Sequence, residues 1–214
     1  MYDLHTHTMF SDGVLVPAEL ARRCQAQGYR GLVISDHCDH SNIEPLMAAM
    51  VEFCEAVAGY YGEMQVLPGC EITHVPPPLI NGLVALGREL GAEVVVVHGE
   101  SPVEPVAPGT NRAAIEANCD VLAHPGLITP EEAALAAERG VRLEISGRQG
   151  HSLANGHVAR LALEAGAPLS FGSDGHRPGD YPTREKALAI LRGAGLTAEQ
   201  AEKVMRHNAA VFSG

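Results

Sequence analysis

Short apolar runs alternate with longer amphipathic segments along the chain. The apolar runs are MYDLHTH (1–7), GLVISDH (31–37), QVLPGCEIT (65–73), EVVVVHG (93–99), CDVLAHPG (119–126), VRLEIS (141–146) and PLSFGSD (168–174). Between them lie PAELARRCQAQG (17–28), NIEPLMAAMVEFCEAVAGYYG (42–62), INGLVALGRELG (80–91), TNRAAIEANC (110–119), TPEEAALAAERG (129–140) and GHVARLALEAG (156–166). Many of these end in Gly just before the next apolar run, as helix C-termini do. Thr129-Pro130-Glu131-Glu132 has the make-up of a helix start, with an N-cap candidate, a first-turn Pro and acids behind it. A last helix is expected in TAEQAEKVMRHNAAVF (197–212).

Strands alternating with helices of ten to fifteen residues predict βαβ units and a parallel sheet. Seven strands in so short a span suit a compact barrel better than an open sheet, so the expected fold is α/β, a distorted seven-stranded (β/α) barrel. We find no boundary that splits residues 1–214, which read as a single domain. Pro76-Pro77-Pro78 and the Pro-rich Ser101–Pro108 segment are expected to be loops walling the barrel mouth.

Every strand ends in a residue that can bind a metal. In order these are His5 and His7, Asp36-His37, Glu71, His98, His124, Glu144, and Asp174 with His176. The C-terminal ends of parallel barrel strands share one mouth, so residues remote in sequence converge there. Imidazole and carboxylate without thiolate is the donor set of divalent transition metals. His5 and His7 project from the same strand face and can clasp one ion, and Asp174 with His176 repeats that spacing. Glu71 can bridge two ions through its two oxygens, and Asp12 adds a carboxylate just beyond the HxH pair. So many buried acids and imidazoles need pairing or metal, because buried charge is costly otherwise.

The segments DLHTHTMFSDG (3–13), SDH (35–37), AHPG (123–126) and GSDGH (172–176) resemble, in order, the four motifs of the PHP (polymerase and histidinol phosphatase) family. The resemblance covers residue 3 to at least 177. It implies a two- or three-metal site: one ion on His5, His7, Glu71 and Asp174, a second on Glu71, His98 and His124, and a third on His37, His176 and Asp12. Zn, Mn and Fe all accept these donors. The implied reaction is hydrolysis of a small phosphomonoester, histidinol phosphate being the first substrate to test, by a hydroxide bridging two of the ions. Asp36 and His176 are candidates for a supporting acid beside Glu71. Arg148 and Arg177 are candidates for gripping phosphate, and the loop GRQGHSLANGH (147–157) is expected to line the pocket through His151. His74 is a further candidate for the mouth.

Other readings remain open at this stage. These are a phosphodiesterase or exonuclease acting on nucleotides or short oligonucleotides, a non-catalytic PHP-like binding protein, and an amidohydrolase. Lys plus Arg number 15 against 26 Asp plus Glu, a formal charge of −11. Such a surface disfavours extended nucleic acid but not a small anion. The five cysteines, with no CxxC pair, read as reduced thiols, and Cys38 and Cys70 are expected to face away from the site. With no signal peptide and no apolar run long enough to span a bilayer, a cytoplasmic location is expected. Neither the oligomeric state nor the metal identity follows from the residues.

Overall fold

The computed structural model describes residues 1–213. Its strands are β1 (Tyr2–Asp3), β2 (Gly31–Ile34), β3 (His37–Cys38), β4 (Gln65–Ile72), β5 (Val94–His98), β6 (Val121–Ala123), β7 (Arg142–Ser146) and β8 (Leu169–Gly172). Its helices are α1 (Pro17–Ala26), α2 (Ile43–Val57), α3 (Pro77–Glu89), α4 (Thr110–Glu116), α5 (Pro130–Arg139), α6 (Asn155–Ala165), α7 (Arg184–Gly193) and α8 (Ala198–Ala210). The strands are parallel in the order β1-β2-β4-β5-β6-β7-β8, with β3 also beside β4. The pairs Ile34↔Pro68 and His37↔Glu71 keep one register, so β2 and β3 are a single barrel strand interrupted at Ser35-Asp36. There the Ser35 N–H turns to the Thr6 carbonyl instead, at 2.8 Å. The result is the nearly closed seven-stranded barrel that the alternation of elements implies.

Alternation along each strand splits the interior in two. Leu4, Val33, Val94, Val96, Val121 and Ala123 form a small cluster inside the barrel. Leu32, Ile34, Val95, Val97, Leu122, Leu143 and Ile145 point outward into the much larger layer under the helices. β5, four valines followed by His98, is buried at every position and serves both layers.

The barrel closes through two different devices. Near the mouth, β1 runs on so that Thr6 pairs with Gly175; the Asp174 N–H donates to the His5 carbonyl at 2.9 Å, and His7 N–H to Gly175 at 3.0 Å. Lower down a side chain replaces the ladder. Fully buried Asn208 on α8 accepts from Phe171 N–H and donates to the carbonyls of Phe171 and Tyr2.

Two local expectations change. The Pro76–Pro78 run is not a loop: Pro76 is the N-cap of α3 and Pro77 its first residue, where a missing N–H has no cost. And α7, started by Thr183 accepting from Lys186 N–H, lies between β8 and the expected last helix. The expected helix starting at Thr129 is present with a full capping box. All five cysteines are free and buried, with Cys38 and Cys70 in the outer layer. Among the described residues, no helix is long and apolar enough to cross a membrane.

Candidate metal centre

The strand ends bring their imidazoles and carboxylates into one buried cluster, with Glu71 at its middle. Glu71 Oε2 is 3.2 Å from His5 Nε2, 3.5 Å from His7 Nε2 and 2.8 Å from His37 Nδ1. Its other oxygen is 3.7 Å from His124 Nε2. Asp174 faces Glu71 across the cluster, 3.4 Å from His7 and 3.6 Å from His124. Asp12, half-exposed, reaches His37 at 3.4 Å and His176 at 2.9 Å. The structure thus draws together all nine residues proposed as ligands, in overlapping groups. His5, His7 and Glu71 form one; His7, Asp12, His37 and His176 another; His98, His124 and His151 a third.

Backbone and second partners hold these donors in place. Glu144, below the cluster, accepts from His5 Nδ1 at 2.8 Å and from His124 N–H at 3.1 Å. With Nδ1 committed to that carboxylate, His5 presents a bare Nε2 to Glu71 and Asp174. Gly172 makes room for this, since a Cβ there would collide with Glu144 Oε1. His74, His124 and Asp174 have φ of 54°, 28° and 51°, a left-handed backbone that side chains other than Gly rarely adopt. Such strain concentrates at functional sites.

The donor atoms fit divalent ions. His5 Nε2, both ring nitrogens of His7, both oxygens of Glu71, His124 Nδ1 and His176 Nε2 are buried without a hydrogen-bond partner. Orphaned atoms of this kind are rare in folded interiors and expensive without a cation between them. The electrostatics agree. Burial pushes Asp174 up to about 7 and pulls His7 and His124 well down.

The remaining candidates divide. Asp36 is fully buried, but Thr8 N–H, Thr8 Oγ1 and Ser11 Oγ, each at 2.6 Å, take up its carboxylate. It therefore anchors the loop that carries Asp12, with Oδ1 accepting two hydrogen bonds and Oδ2 one. His176 is in the cluster as a donor. His151 lines the cleft over the cluster, buried and stacked on His124 at 4.0 Å between ring centres. Asn155 brackets Ser146 through that residue's N–H and carbonyl. Arg148 donates to the Asp174 carbonyl at 3.1 Å and lies against His176. Arg177 is exposed, in the wall of a groove of about 690 Å³ that leads from Asp12 and His176 past Arg148 to Lys186.

Glu104 was not singled out in the sequence. It comes from the Pro-rich Ser101–Pro108 loop and stands 3.1 Å from His98, 3.0 Å from His74 and 3.3 Å from His151. The loop was expected at the mouth, and only a through-space contact picks out this residue.

The PHP domain matches residues 3–140. An uncharacterised protein of Methanocaldococcus jannaschii is 42% identical over 96% of this chain and 95% of its own length. A 5'-3' exoribonuclease of Escherichia coli is 26% identical over 91% of this chain, which spans 62% of that protein. The ribonuclease P protein component 3 of Natronomonas pharaonis is 33% identical over 68% of this chain and 55% of its own length. Among solved structures, a Xaa-Pro dipeptidase superposes with a TM-score of 0.63 at 13% identity, covering 94% of this chain and 72% of the other. An Aspergillus niger ochratoxinase gives 0.61 at 15%, covering 95% and 69%. These two likenesses are of fold alone. The family match over residues 3–140, together with a relative 42% identical along nearly its whole length, shows that this chain belongs to the PHP domain family.

Proposed function

We propose that the chain is a metal-dependent phosphoesterase acting on a small phosphorylated substrate. The observation that carries this reading is the set of orphaned, buried imidazole and carboxylate atoms around Glu71, opening into a groove edged by cations. His5, His7, Glu71 and Asp174 would hold one ion, Glu71, His98 and His124 a second, and Asp12, His37 and His176 a third. Bound there, divalent ions would supply an activated water and neutralise phosphate oxygens.

The chain's own groups do the rest. Glu144 keeps His5 in one tautomer, so that its Nε2 lone pair stays aimed at the cluster. Asp36 ties Thr8 and Ser11 together and so sets where Asp12 stands. Arg148 lies between the cluster and the groove, where its guanidinium can hold non-bridging oxygens of the ester. Arg177 and Lys186 further out would orient a second anionic group. Histidinol phosphate is one monoester among those to test, since neither the groove lining nor the named relatives single it out.

A second reading is favoured by the row of cations and by the relatives named as ribonucleases: attack on the terminal phosphodiester of a nucleotide or short oligonucleotide. The net charge of −11 weighs against longer chains.

The test is metal content of protein purified without chelator, with turnover of p-nitrophenyl phosphate, bis(p-nitrophenyl) phosphate and a 5'-phosphorylated pentanucleotide. Two to three ions per chain with monoester turnover is the expected result. Preference for the diester or pentanucleotide would select the second reading. Absence of bound Mn, Zn or Fe after reconstitution would overturn both.

A further inference from the structure

We propose that Glu104 and His151 are additional metal ligands: they close the outer side of the ion site of His98 and His124, which the strand ends alone leave open. This rests on the metal-dependent reading above and extends it to two loop residues.

The argument begins with His98. Its Nδ1 lies 3.0 Å from the Gly99 carbonyl. A carbonyl only accepts, so Nδ1 carries a hydrogen and the Nε2 of the neutral ring is a bare lone pair. That lone pair faces Glu104 Oε2 at 3.1 Å. Lone pair against carboxylate is repulsive unless a cation, or a proton on the ring, stands between them.

His151 repeats the pattern from the other side. Its Nδ1 is 2.6 Å from Ser101 Oγ, and its Nε2 looks at Glu104 Oε1 at 3.3 Å and Asp174 Oδ2 at 3.8 Å. The ring is buried and stacked on His124. Ring nitrogens of His98, His124 and His151 lie within 4.8 Å of one another, a separation that one ion can span. Glu104 thus has one oxygen toward His98 and the other toward His151.

The two loops act as a unit. The segment after β5 supplies Glu104 and, through Ser101, also fixes the ring of His151 from the turn after β7. Neither residue belongs to the strand-end pattern. An ion here would take donors from β4, β5, β6 and both loops, a fuller shell than the one around Asp12.

The experiment is titration of metal-free protein with cobalt(II), read by visible absorption and by mass spectrometry of bound ions. It compares wild type, Glu104→Gln and His151→Gln. Each variant is expected to weaken one class of site at least tenfold and to shift its absorption band, leaving the other classes unchanged. Matching circular dichroism and melting of the metal-free proteins excludes a folding effect. If Glu104 merely pairs with a protonated His98, the titrations will superimpose on wild type, and that result overturns the proposal. An unchanged His151→Gln titration beside a weakened Glu104→Gln one overturns the assignment of His151. Failure of wild type to bind cobalt would overturn the metal-dependent reading itself. Wild-type binding and turnover with unaltered variants would overturn this inference alone.

Discussion

The lower and upper halves of the barrel interior obey opposite rules. Below, Leu4, Val33, Val94, Val96, Val121 and Ala123 fill the space with aliphatic groups that need no partner. One or two residues further along the same chain segments stand His98 and also His5 and His124, each of the latter two with a ring nitrogen that the protein leaves without a partner. β5 makes the change within a single strand, from Val96 to His98. The lower half is complete when folded; the upper half, on the metal-dependent reading, would be completed by cations. Stability and chemistry are therefore carried by different ends of the same strands, and substitutions should separate them.

The largest effect is expected at the centre of the upper half. Glu71→Gln should lower phosphoesterase turnover by about 10³-fold or more and remove more than one ion per chain. Its metal-free form should melt no lower than metal-free wild type, because a buried carboxylate has been neutralised. A variant retaining its metal and turnover would remove Glu71 from the centre. Next comes chelation of the wild type. Each ion held at 100 times its Kd stabilises the fold by about 2.7 kcal/mol, so its loss should lower Tm by roughly 5–11 °C. Calorimetry with equal Tm in the two states would erase the contrast between the halves.

Val96→Ala tests the lower half. It should destabilise by about 2 kcal/mol through a cavity inside the barrel, while metal content stays at the wild-type value. Denaturant melts and metal analysis on one sample decide this, and loss of metal would show that the halves are not independent. The smallest effect is expected at the groove. Arg177→Ala should raise KM for the 5'-phosphorylated pentanucleotide about tenfold, about 1.4 kcal/mol, with metal content unaltered. An unchanged KM would place the guanidinium away from substrate.

Much of this contrast was legible in the residues. EVVVVHG announces both the buried strand and the ligand at its end, and the repetition of that ending across the apolar runs points to a shared mouth. What escaped depends on contacts through space. The break between β2 and β3 is set by Thr6 drawing away the Ser35 N–H, which nothing in GLVISDH reveals. Glu104 is one acid in a Pro-rich loop, and only folding carries it to His98 and His151. Asp36 fell into the strand-end series by position, although Thr8 and Ser11 take up its carboxylate. α7 was the readable omission: Thr183 is a cap, and Ala187 and Leu191 are spaced for one buried helix face.

The seam closed by Asn208 bears on how the protein reaches its working state. Tyr2 and Asn208 are 206 positions apart, so their contact closes one of the longest loops in the molecule. The entropy of that closure is recovered only after the intervening βα units have formed, which places the seam late in folding. His5 and His7 stand on one side of it, Asp174 and His176 on the other. An ion gripped by both sides would rivet the first strand to the last, and the rivet could be set only once the barrel had come round on itself.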